Sequence, residues 1–432
     1  MATRPTETSL FQEYEMAPGM RLLIAPTPKF RRTRVMVILH DRLDPQRAAK
    51  GALLPYVQKR GTQRFPTGMD LERAAGQLYD AELSGGVFKV GDRQLIGYSL
   101  DIADDRYVGE PLLERGLELL AEMVYRPLVE GEGLSQTYVE QEKRFQIGRV
   151  RALVNNKIAY ARQRCIEEMF PGEPFAQHEL GTEEGIEAAD ARSLRVHHRE
   201  LMETRPIDVY VVGNVEAERV AEAARRHLIA ERGEVASLGV TRVEPGSGEV
   251  KEVVQEEPMN QGWLVLGLRT DIARPDRDRY GMMFFNGILG GFVHSKLFIN
   301  VREKASLAYT ASSVYDANKG VLLAIAGIDV GKYAQALEIM RKQIDDTVAG
   351  RFTDEDMEAT RRSLLAQYRM RLDSPEGRIL FHAGGAAENA PESIEEAIAA
   401  IERVDRDDVA RAGQRLRLDT IYFLKGTQAG AA

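Results

Sequence analysis

VLLAIAGIDVGKYAQALEIMRKQIDDTVAGRFTDEDMEATRRSLL, residues 321–365, holds a whole structural unit in one stretch. Residues 321–328 are a short, continuous apolar run, which reads as a strand. Tyr333, Ala336, Leu337, Met340, Ile344 and Val348 then recur at helical spacing and make one apolar helix face. Gly350 ends that helix, and Thr353 stands where a second, charged helix would be capped. The same order occurs earlier. QLIGYSLDI (94–102) reads as a strand, and Leu113, Leu117, Leu120 and Val124 mark one helix face. Pro127 breaks the helix, and Ser135 stands at the cap of the next.

Other pairs keep this order. IDVYVVG (207–213) corresponds to TIYFLKG (420–426), and Gly61-Thr62 corresponds to Gly290-Gly291. Self-similarity at half the chain length signals a duplicated domain rather than a small repeat. Residues 232–260, RGEVASLGVTRVEPGSGEVKEVVQEEPMN, lack helical spacing and read as a linker, with a hinge near Gly246. The expected fold class is therefore α+β. Two homologous halves, residues 1–231 and 261–432, each carry a sheet with helices on one face.

The chain has 432 residues, enough for two such halves, and a formal net charge of −8. An acidic balance argues against nucleic-acid binding. The N-terminal stretch shows no apolar signal-peptide core, and no run approaches a membrane span, so no membrane role and a cytoplasmic location are expected. The single Cys, Cys165, forms no internal disulfide and reads as a buried helical residue.

Candidate chemistry is sparse. The seven His residues, at 40, 178, 197, 198, 227, 294 and 382, include no pair at i, i+4, the spacing that puts two imidazoles on one helix face to bind zinc. His197 and His198 read as surface or packing residues. GIDVGK (327–332) is one residue short of a phosphate loop and reads as a strand-to-helix turn. No G-x-S-x-G elbow is present.

Two segments carry a resemblance. FNGILGGFVHSKLFINVREKASLAYTASS (285–313) resembles the C-terminal half of the M16 peptidases, the insulinase and pitrilysin group, and HHRELMETRPIDVYVVGNV (197–215) resembles the end of their N-terminal half. The resemblance implies two M16-type sandwich halves with antiparallel-rich sheets in a clamshell arrangement. Active members carry H-x-x-E-H on a helix just before a Gly-Thr, with a further carboxylate ligand downstream. Anchored on Gly61-Thr62, those positions are Ala52, Pro55 and Tyr56, and the downstream one is Gly148 or Arg149. Pro55 also suggests a helix that starts there or is kinked.

The family's Arg and Tyr, which reach the substrate from the C-terminal half, correspond to Arg302 and Tyr309. Spacing alone also allows Arg302 to pair with a carboxylate and Tyr309 to be a core strand residue. This combination resembles the noncatalytic subunits of heterodimeric M16B peptidases, above all the M16-like subunit associated with 5-aminopentanol modification of elongation factor P. It implies no metal in this chain, zinc in a partner M16 subunit carrying H-x-x-E-H (or a homodimer), and a peptide substrate. Residues 83–100 are an expected edge strand for such a peptide. The alternative is a peptide- or protein-binding scaffold of the same fold without peptidase activity.

Overall fold

In β3 (Arg32–Arg42), Val35, Val37 and Leu39 face one core while Met36 and Ile38 face another. Both sides of the strand are buried, which is why its sequence is a continuous apolar run rather than an alternating one. The computed structural model describes residues 11–427 apart from Ser247. The first ten residues, part of the stretch read for a signal peptide, lie outside the described residues.

The first half contains β1 (Gln12–Ala17), β2 (Met20–Pro26), β3, β4 (Glu82–Val90), β5 (Arg93–Ala103), a small hairpin of β6 (Val129–Glu130) and β7 (Gly133–Leu134), and β8 (Ile207–Gly213). The second contains β9 (Lys251–Glu257), β10 (Gly262–Arg269), β11 (Ala308–Asp316), β12 (Val321–Ile328) and β13 (Arg417–Gly426). The main sheets run β4-β5-β3-β8-β2-β1 and β11-β12-β10-β13-β9. Laid side by side, β4 matches β11, β5 matches β12, β3 matches β10, β8 matches β13 and β2 matches β9. Each sheet has its parallel pairing at the same place, β2 with β8 and β9 with β13, and its remaining pairings are antiparallel. The strand pairs 94–102 with 321–328 and 207–213 with 420–426 thus occupy equivalent places.

One expectation about the linker changes here. Residues 251–257, read as linker, are β9, the counterpart of β2. From Glu252 onward its residues alternate between exposed and half-buried, which suits an edge strand with one wet face, a pattern that glutamate-rich composition disguised. Ahead of the hinge expected near Gly246, the linker is anchored at Thr241. Thr241 donates from its N–H and hydroxyl to Glu388 (2.9 and 2.6 Å), and its hydroxyl accepts from the Asp92 N–H.

Each sheet is covered on both faces, not one. Leu53 and Val57 of the Pro45–Arg60 helix and Leu117 and Leu120 of the Leu112–Tyr125 helix fill the main core of the first half. Its opposite face is covered by a helix from the other half, Pro375–Ala387, which lays Ile379, Ala383 and Ala387 on Ile38, Tyr210 and Val212. The exchange is reciprocal. The Lys157–Met169 helix of the first half lays Ala161, Cys165 and Met169 on Val265, Tyr422 and Leu424 of the second sheet. Both helices present residues at i, i+4, i+8, the stripe that a single helix face offers. Cys165 is fully buried there, and burial pushes its thiol far above the ordinary range.

Two histidines are withdrawn from water, His382 within the exchange and His197 on the Ala191–Thr204 helix of the first half. His382 sits on the crossing helix, 3.0 Å from the Tyr210 hydroxyl, and burial lowers its pKa to about 4. His197 is lowered to about 3, by burial and then by Arg47 and other nearby cations. Both folded values lie below the unfolded one, ~6.5. As pH falls the unfolded chain binds protons first, so the stability these groups provide is complete above ~6.5 and is lost below it. Thermal melting is expected to drop between pH 7.5 and pH 5, and to drop less in His382→Gln. An identical drop in the variant would remove His382 from the account.

Candidate functional site

The Asp44 carboxylate accepts the N–H groups of Gln46 and Arg47, and Pro45 takes the first helical position. The helix therefore starts at Pro45 and runs through Pro55 to Arg60, so of the two alternatives, a start at Pro55 or a kink there, the start is excluded. Pro55 has no N–H for the carbonyl of Gly51. One turn earlier the Ala48 carbonyl is served from outside, by the buried Gln94 side chain at 2.9 Å. Pro55 presses on edge strand β4, where a Cβ on Gly85 would lie 2.7 Å from the Pro55 Cβ. Only glycine permits that approach.

The positions aligned with the zinc ligands do meet in space. The Arg149 guanidinium lies 3.9 Å from the centre of the Tyr56 ring and donates to Gln146 at 2.9 Å. Ala52 is wholly buried, and Gly148 has no side chain to offer. A zinc ion does not fit this set. It would meet a methyl group, a proline ring, and a phenol covered by a fixed positive charge. Among the described residues no group of three or more His, Cys, Asp or Glu side chains is arranged to hold a metal ion.

The other perturbed groups are structural. Burial alone would raise the Asp208 carboxyl, yet hydrogen bonds from His40 (3.0 Å) and Arg21 (2.9 Å) hold it far below the usual range. His197 and His198 are both buried, so they are packing residues.

Arg302 lies on a π-helical segment, Phe298–Lys304, a rare geometry that often marks functional sites. Its guanidinium stands 4.5 Å over the Phe298 ring and has no carboxylate partner among the described residues. Ser306, at φ 50°, then turns the chain into β11. Tyr309 is 68% exposed on that edge strand, so it is not a core residue. Beneath β11, a Cβ on Gly290 would lie 2.4 Å from the Ser313 nitrogen, which explains the glycine there; residues 287–291 form a π-helical turn.

Between the halves lies a cleft of about 970 Å³, flanked by the two outer strands β4 and β11. The expected edge strand 83–100 is a hairpin. Only β4 is free, because β5 pairs with both β3 and β4. Along β11 the cleft is lined from Val314 onward. Tyr309 is five residues away, ~16 Å along an extended strand, so Arg302 and Tyr309 lie outside the cleft. The cleft does contain Arg162, Arg274 and Arg371, which come from distant parts of the chain and show no shared motif.

The pattern described as the peptidase M16 inactive domain matches residues 189–364. A relative named probable inactive metalloprotease YmfF, of Bacillus subtilis, is 36% identical over 95% of this chain and 96% of its own length. The chain belongs to the M16 peptidase family. Among solved structures, a conserved protein from Enterococcus faecalis superposes with a TM-score of 0.90 at 26% identity, covering 97% of this chain and 99% of that one. An M16 inactive-domain protein from Pseudomonas fluorescens shares the fold, with a TM-score of 0.78 at 16% identity over 98% and 100% of the two chains. The M16 architecture of two sandwich halves is thus present throughout the described chain. Among the described residues no helix is long and apolar enough to cross a membrane.

Proposed function

We propose that this M16 chain is the zinc-less subunit of a heteromeric cytoplasmic metallopeptidase. Its partner would be an M16 chain bearing an intact H-x-x-E-H, and the two would share one site. The observation that carries the reading is the Arg149 guanidinium stacked on Tyr56, at the place where a catalytic member would gather its metal ligands. The exposed Arg302 and Tyr309 would face the partner's site. There Tyr309 would donate a hydrogen bond to the developing oxyanion, and Arg302 would hold a carbonyl or carboxylate of the substrate. The free edge of β4 would take an extended peptide as an added strand in the cleft. The similarity to a relative named as an inactive metalloprotease supports the same reading.

The chain purified alone is expected to carry no stoichiometric zinc by metal analysis and to cleave no peptide. Co-expressed with an H-x-x-E-H M16 chain from the same genome, it is expected to co-purify with that chain and raise its peptide cleavage. One tightly bound zinc per chain, or full activity of this chain alone, overturns the proposal. A homodimer that binds peptide without cleaving it and takes no partner favours the scaffold reading instead.

A further inference from the structure

We propose that the cleft selects acidic peptides, through Arg162, Arg274 and Arg371. This deepens the preceding reading and rests on it, since it requires that the cleft hold a peptide at all. The charges are out of balance. Arg279 pairs with Glu392 at 2.7 Å, and Glu376 pairs with Arg34 at 2.9 Å. With those pairs set aside, Arg162, Arg274 and Arg371 face Asp316 alone; counted in full, the lining carries four arginines against three carboxylates, a net excess of one positive charge. The whole chain has a net charge of −8, so the cleft runs against its own background.

None of the three arginines has a carboxylate in ion-pair range among the described residues. Arg371 is held over the rings of Tyr368 and Phe381, at 4.9 and 5.5 Å. Arg274 donates to the Phe381 carbonyl at 3.1 Å, while its Nε is buried without a partner. Burial works against the charge of both Arg162 and Arg274. A guanidinium that has lost water and found no anion gains most from an incoming carboxylate. The occupant that fits is an extended segment. β4 and β11 both lie at sheet edges and both line the cleft, and a strand paired to either projects alternate side chains to one face. Acidic residues at alternate positions would then meet the arginines.

The test is isothermal titration calorimetry on the intact chain. The probes are short peptides of alternating Glu and Val, and the same peptides with Gln for Glu, all acetylated and amidated so that no terminal charge contributes. The acidic peptide is expected to bind at least about ten-fold more tightly, with an advantage that shrinks as salt is added. The double variant Arg162→Gln, Arg371→Gln is expected to lose that discrimination, with its fold checked by circular dichroism. If the variant does not fold, the comparison of peptides on the native chain decides. Equal binding of the two peptides overturns the charge preference and leaves the peptide-holding cleft standing. Absence of binding by either peptide overturns both.

Discussion

Tyr309→Phe is expected to lower kcat of the mixed peptidase about 100-fold while leaving assembly intact. The Tyr309 ring is 68% exposed, and its hydroxyl makes no hydrogen bond among the described residues. Losing that oxygen therefore removes no contact that holds the fold. What is lost is one donor aimed at charge that develops only in the transition state. Such a loss lowers kcat and kcat/KM together and leaves KM nearly unchanged. A structural role would instead appear as weaker co-purification or a lower melting temperature. Steady-state kinetics of the complex with peptide, beside size-exclusion chromatography, separates the two. Unchanged turnover would remove Tyr309 from the shared site.

Lys319→Ala is expected to cost about 3 kcal/mol of stability. Lys319 stands in the β11–β12 turn with its side chain 1% exposed. Its ammonium donates to Glu173 at 2.7 Å, to Asp92 of the β4–β5 turn at 3.4 Å, and to the Arg242 carbonyl of the linker at 2.8 Å. One buried cation thus ties the second half to two places in the first and to the segment between them. Removing it takes from Asp92 its ion-pair partner among the described residues and leaves Glu173 only Arg269, at 3.9 Å. The value sits at the low end for a broken buried pair because Asp92 and Glu173 keep 20% and 33% exposure and can be rehydrated. Urea denaturation measures the loss. A change below about 1 kcal/mol, the range of a surface pair, would mean that Lys319 is not a clasp.

The vestigial site was legible because ligand chemistry is local. A zinc site needs particular residue types at fixed spacing, and Ala52, Pro55 and Tyr56 break that pattern in one stretch. Alignment of two separate segments placed only Gly148 or Arg149 at the downstream position, and the contact of Arg149 with Tyr56 came from the tertiary structure. The path of the Pro45–Arg60 helix was less legible. Proline is a strong local breaker, but close packing against β4 accompanies the helix through it. The cleft arginines were not legible at all. Arg162, Arg274 and Arg371 are more than 200 positions apart at their extremes, two on charged helices and one in a loop, and isolated arginines read as solvent-facing.

The succession of elements along the chain, helix faces and the duplication could be taken from the linear chain, since periodicity and caps act between residues a few positions apart. The unbroken apolar runs at 35–39 and 321–328 even recorded that both faces of each strand are buried. Which element covers the second face lay beyond that information. Ile379 on Ile38 and Cys165 on Val265 are contacts between halves, and any apolar helix stripe of the right width satisfies the same local pattern. The choice is made when the whole chain closes, because only the reciprocal exchange buries both stripes and both outer sheet faces at once.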